Sequence, residues 1–159
     1  MEPQITVRGR AGESAPERSP RPRSTAWTVS LVLGRLAGAG LLGAMAGIHI
    51  YLYFDGYSSV SLIGPLFMIN GVVGGLLMIA VLVSPGRFLS LVAGLSCLFD
   101  LGTLAALILS LTVGLFGFDE SLVTPLVPTT LIVESIGVVA LAVLVVLNQW
   151  SRRSLTVGH

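Results

Sequence analysis

The sequence predicts an all-α fold, a membrane-embedded up-down four-helix bundle behind a disordered N-terminal tail. Three observations predict it. The chain is 53% hydrophobic and only 11% charged, with a mean hydropathy of +0.90, whereas a soluble domain carries roughly a quarter charged residues. Four apolar segments each reach the ~20 residues that a hydrocarbon core requires. All nine basic residues are arginine, and they are distributed asymmetrically along the chain. A length of 159 residues allows one domain, divided as a tail over 1–25, a transmembrane domain over 26–150 and a second tail over 151–159.

The first tail, MEPQITVRGRAGESAPERSPRPRST, is rich in Pro, Arg, Ser, Gly and Glu and has almost nothing to bury, so it reads as disordered. It is too long and polar for a secretory n-region, and no signal peptide is expected. Span one covers about 31–54, with Arg35 near its start; the arginine stem can extend to the headgroups. Span two covers about 62–83, with Pro65 in the first turn, where a missing N–H costs nothing. Ser84-Pro85-Gly86-Arg87 is a tight-turn signal. Span three covers about 88–115. Span four covers about 128–150, from Pro128 at a helix start to Trp150 at an interface.

Orientation follows from charge. Arg8, Arg10, Arg18, Arg21, Arg23, Arg35, Arg87, Arg152 and Arg153 all fall on one side of a four-span bundle, and Asp55, Asp119 and Glu120 fall on the other. The positive-inside rule then places both termini in the cytoplasm and the protein in the cell's inner membrane. Short connections make sequential helices antiparallel.

Each span carries one strongly polar side chain: His49, Asn70, Asp100 and Glu134. Arg35 to His49 is 14 residues, Asn70 to Ser84 is 14, Arg87 to Asp100 is 13 and Glu134 to Gln149 is 15. At the helical rise these are all about 20 Å above the inner boundary, in the outer half of the membrane. Their helix faces favour convergence. Ser90, Ala93, Cys97, Asp100, Thr103, Ser110 and Gly114 make a small or polar stripe, interrupted by Leu107. Ala39, Gly43, Ala46 and His49 share a side of span one, and Gly71 and Gly75 lie beside Asn70 and Gly74. Small residues let helices approach where lipid supplies no hydrophobic drive. An ionised group at this depth costs at least ~2.5–3.5 kcal/mol, so it should face the bundle interior.

Three readings of this set stand open. The four side chains can satisfy one another as a lock that fixes helix order. They can form a proton or small-ligand site, because two carboxyls close together in low dielectric cannot both ionise cheaply; Tyr51, Tyr53 and Asp55 would extend a polar path outward. One imidazole and two carboxylates also suit a metal, but each ligand comes from a different helix and no spacing motif supports it. Bis-histidine haem is disfavoured, since the second histidine, His159, is the last residue. No nucleotide loop, hydrolase elbow or metalloprotease motif is present, so no catalytic, cofactor-binding or metal residues are assigned and no cofactor is expected. Cys97, the single cysteine, excludes an internal disulfide.

The runs GIHIYLYFDGYSSVSLIGPLFMIN (47–70) and LSLTVGLFGFDES (109–121) resemble small four-span membrane proteins of actinobacteria that have no assigned activity. The resemblance covers residues 30–148; it implies fold and location and carries no catalytic roles. Four-span small multidrug exporters place a working carboxylate in the first span. His49 holds that place here, a departure from their pattern. The expected function is a non-enzymatic membrane component or accessory subunit with an intramembrane polar cluster; the alternative is a small proton-linked transporter or ligand-binding protein. Expected partners are the lipid bilayer and either another membrane protein or further copies of the chain, with no role for nucleic acid.

Overall fold

The computed structural model describes residues 25–156. It is an all-α bundle of four helices: α1 (Thr25–Phe54), α2 (Ile63–Val83), α3 (Gly86–Thr112) and α4 (Val127–Thr156), with a short 3₁₀ turn at Tyr57–Ser59. All four are long and apolar enough to cross a membrane. The shortest, α2, has 21 residues, which at 1.5 Å each make about 31 Å, the thickness of a hydrocarbon core. Length and composition are thus those of a multi-pass membrane protein.

Burial is distributed as lipid demands. Large apolar side chains face outward, among them Leu33, Leu76, Leu98 and Val139, each about 60% or more exposed, while Asp100, Glu134, Ser96 and Thr103 are buried. In water that exposed surface would be an aggregation liability; in hydrocarbon it is the ordinary solution. The buried stripe of α4 reads Val127, Thr130, Glu134, Gly137, Leu141, Leu144, Asn148, Ser151. Its alternating steps of three and four residues are the seam of a closely aligned helix pair.

The helices are arranged in the order α2–α1–α4–α3, with α2 and α3 touching only sparingly although the two-residue link Ser84-Pro85 joins them. The α1–α2 contact is built on small residues. A Cβ at Gly74 would stand 3.2 Å from the Ala46 Cβ, and one at Gly71 would strike the Ile50 side chain. Gly75, expected to pair with Gly71, meets nothing within 4 Å, so Gly74 takes that role.

Three element boundaries differ from expectation. Helix α3 ends at Thr112, not 115, because Gly114 turns left-handed (φ +79°), a conformation natural to glycine. The following strap folds back through paired bonds between Leu115 and Phe118 (2.8 and 2.9 Å), and the Glu120 N–H donates to the Ser110 carbonyl at 3.0 Å. Helix α4 runs to Thr156, six residues into the expected second tail, since nothing before Gly158 breaks a helix. Helix α1 opens at Thr25, with no glycine or proline before Gly34 to stop it. The expected disordered tail otherwise lies outside the described residues.

Arg35 has a local task as well as its stem. Its guanidinium donates to the Leu82 and Ser84 carbonyls at 3.2 and 2.7 Å, capping the carbonyls that the end of α2 leaves open.

Candidate functional site

The bundle has two unlike halves. Towards the termini, Ala39, Leu42, Met45, Val81, Leu89, Ala93, Leu141 and Leu144 form a continuous apolar core. Towards the opposite end that core gives way to a cavity of about 320 Å³. All four helices contribute to its wall, and the strap after α3 closes its far end with Leu115, Phe118 and Glu120. Exposed Leu66, Leu98 and Gly102 belong to the same wall, so the cavity reaches the surface between α2 and α3, where the helices part.

His49 and Glu134 meet at the floor. His49 Nδ1 lies 3.0 Å from the Met45 carbonyl one turn earlier. A carbonyl only accepts, so Nδ1 carries a proton and Nε2 is the nitrogen that faces the site. Nε2 stands 4.0 Å from Glu134 Oε1. At that distance the imidazole and the carboxyl are close enough to influence one another's charge without sharing a hydrogen bond. Glu134 is 1% exposed, and neither carboxyl oxygen receives a hydrogen bond, although the Thr103 hydroxyl lies within reach of it. Its neighbour Thr103 donates instead to the Asp100 carbonyl at 2.8 Å.

Asp100, on α3, meets α4 at Gly137, one turn from Glu134. Its Oδ2 rests on the Cα of Gly137, where any Cβ would collide with it, and its Oδ1 is buried without a partner. Glycine at 137 is what lets the carboxylate reach the α3–α4 interface. Asn70 lines the same cavity from α2 but is only half-buried, and no hydrogen bond joins it to the other three. The structure thus brings His49 and Glu134 into contact, sets Asp100 beside them, and leaves Asn70 across the opening.

The outward continuation differs from the sequence-based expectation. Tyr51 is 56% exposed on the outer face of α1, and neither Tyr53 nor Asp55 lines the cavity. The polar wall instead runs through Thr130 and Ser110 to Glu120, which accepts a 2.6 Å hydrogen bond from the Tyr57 hydroxyl. Burial first, and then the hydrogen bond and charge of Glu120, hold the Tyr57 hydroxyl above the usual phenol range. The Tyr57 ring stacks on Phe67 with centroids 4.5 Å apart, and Phe67 in turn packs against His49 at 5.1 Å. This aromatic column couples the lip of the cavity to its floor.

The wall's chemistry is one-sided. It contains Glu134 and Glu120 and no lysine or arginine. Thr130 and Thr103 both turn their hydroxyl protons back onto helix carbonyls, leaving their lone pairs to face outward. Accepting groups therefore outnumber donors. Among the described residues, no group of three His, Cys, Asp or Glu side chains is placed to hold a metal ion. No family model, curated protein or solved structure matches this chain.

Proposed function

We propose that this chain is a multi-pass protein of the cell membrane, with both termini cytoplasmic, that binds small amphiphilic cations in exchange for a proton. The observation that carries this reading is Glu134: fully buried, on a cavity wall, with both oxygens unpartnered and an imidazole nitrogen 4.0 Å away. A purely structural lock requires its members to satisfy one another, because an unpartnered buried polar group costs about 1–3 kcal/mol. Here Ser96, Asp100, Ser110 and Glu134 all keep buried oxygens without partners. A donor-bearing cation with an apolar body fits both the acceptors and the Leu, Ile and Phe lining.

Proton linkage follows from charge. A cation beside Glu134 favours the carboxylate, so a proton held by this carboxyl is released as the cation enters. The orientation rests on the described arginines Arg35, Arg87, Arg152 and Arg153, all at the termini end, and on Asp55, Asp119 and Glu120 at the other.

The test is calorimetric titration of the protein in lipid nanodiscs with 4-phenylbutylamine, using 4-phenylbutanol as the neutral control. Wild type should bind the amine in preference to the alcohol and release a proton, seen as a binding enthalpy that varies with the buffer. Glu134→Gln should lose the preference. Equal binding of amine and alcohol, or an amine affinity unchanged in Glu134→Gln, would overturn the proposal.

A further inference from the structure

The cavity has two acidic poles, and the proposed function uses only one of them. Glu134 stands at its floor and Glu120 at its far end. We propose that the ligand is two-headed: a linear α,ω-diamine whose hydrocarbon spacer carries one ammonium to each carboxylate. A two-headed ligand presupposes the cation reading of Glu134 and adds a second anchor at a set distance.

Two helices set that distance. On α3, Thr103 lies within reach of Glu134, and the Ser110 carbonyl accepts from the Glu120 N–H at 3.0 Å. Residues 103 and 110 are seven apart, about 10 Å at the helical rise. On α4, Glu134 is again seven residues from Val127, the wall residue where the strap joins that helix. The poles are therefore separated by about two helical turns. An extended chain advances about 1.2 Å per bond, so about eight bonds cover the separation. That is the span of 1,7-diaminoheptane.

Each pole has acceptor capacity to spare. Neither Glu134 oxygen receives a hydrogen bond. Glu120 Oε2 accepts from the Tyr57 hydroxyl at 2.6 Å, and its Oε1 accepts from the Ser121 N–H at 2.9 Å. A carboxylate offers about four lone-pair sites, so capacity remains on both oxygens. The same two bonds fix the Glu120 side chain, and the Tyr57 ring is itself packed against Phe67 and Phe118. The second anchor is a positioned carboxylate.

Between the poles the lining changes character. Leu52, Ile63, Phe67 and Leu115 supply an apolar wall suited to methylene groups, and Ser110 adds a buried hydroxyl without a partner. The slit between α2 and α3 leaves room beside the spacer. A cation with a single charged end would answer Glu134 and lay its hydrocarbon tail against Glu120, which desolvates a carboxylate without pairing it. A second ammonium removes that cost.

The experiment is calorimetric titration of the full chain in phosphatidylcholine nanodiscs, with the heats from empty nanodiscs subtracted. The probes are 1,7-diaminoheptane, heptylamine, 1,4-diaminobutane and butylamine. In wild type, the affinity gained by 1,7-diaminoheptane over heptylamine should exceed that gained by 1,4-diaminobutane over butylamine, since only the longer diamine reaches both carboxylates. Glu120→Gln should weaken 1,7-diaminoheptane about fivefold more than heptylamine, the upper end for one partly exposed ion pair. Glu134→Gln should weaken every amine. Equal gains for the two diamines in wild type, or equal losses of 1,7-diaminoheptane and heptylamine in Glu120→Gln, would overturn the two-headed ligand and leave a one-headed cation at Glu134 intact. Amine affinities that ignore Glu134→Gln, or no binding by any of the four probes, would remove the cation reading itself and this inference with it.

Discussion

The two halves of this bundle use the same kinds of residue to opposite ends. Near the termini, Asn148 makes two bonds to α3 and Arg35 makes two to the end of α2, with the Trp27 Nε1 an unpartnered exception. Leu42, Met45, Leu141 and Leu144 fill the space between them, at 0–1% exposure. In the other half, Asp100, Ser110 and Glu134 are just as buried but keep oxygens without partners, and the space beside them is a cavity. A folding lock would look like the first half. The second departs from that pattern, and on the proposed reading stability is what such a site sacrifices.

The sharpest way to break this contrast is to truncate one leucine in each half. Leu141→Ala should destabilise the protein by about 2–5 kcal/mol, because it opens a void in a sealed core. Leu107→Ala, on the existing cavity, should cost much less. Equal losses of thermal stability in detergent would erase the distinction between the halves. Gly137→Ala comes next. A Cβ there meets the Asp100 carboxylate, and the forced rearrangement should cost about 1–3 kcal/mol, whereas Gly102→Ala, with nothing within 4 Å, should be neutral. The same unfolding assay checks both.

A third comparison sets polar residues against each other. Asn148→Ala should lose about 1–2 kcal/mol with its two bonds. Glu134→Leu should be neutral or stabilising, because it removes a buried carboxyl whose oxygens have no hydrogen-bond partner; a large loss of stability there would restore the lock. The smallest effect belongs to Tyr57→Phe, at about 1 kcal/mol for one hydrogen bond. It has a pH signature as well. Because the folded state holds this phenol above its unfolded value, its contribution is fully present below about pH 10 and fades as pH rises beyond that. Unfolding midpoints of the two proteins should therefore draw together at high pH. A gap that widens with pH would contradict the Tyr57–Glu120 bond.

Much of the fold is legible in the sequence because hydropathy and proline placement are local signals. Pro65, Pro85 and Pro128 mark helix starts to within a few residues. The end of α3 was not legible at that precision: Leu115 is as apolar as the helix before it, and only the backbone turn at Gly114 diverts the chain. Of the site, His49, Asp100 and Glu134 stand out as interruptions of apolar runs, and the small-residue stripe of α3 indicates which way Asp100 faces. Tyr57 and Glu120 gave no such signal, since their meeting depends on a strap folding back through left-handed residues. Gly114 and Gly117, bracketing LF, were the available hint. Asn148 was hidden by position, next to Gln149 at the helix end, although the alternating three- and four-residue steps from Glu134 lead directly to it.

The parting of α2 from α3 has a thermodynamic corollary. In cross-section the bundle is a C, and the acidic floor lies behind its slit, which in a bilayer would face acyl chains. On the cation-binding reading, a solute that dissolves in the bilayer would arrive sideways, already concentrated by its own partition coefficient. Occupancy should then track a compound's membrane solubility more closely than its concentration in the surrounding water.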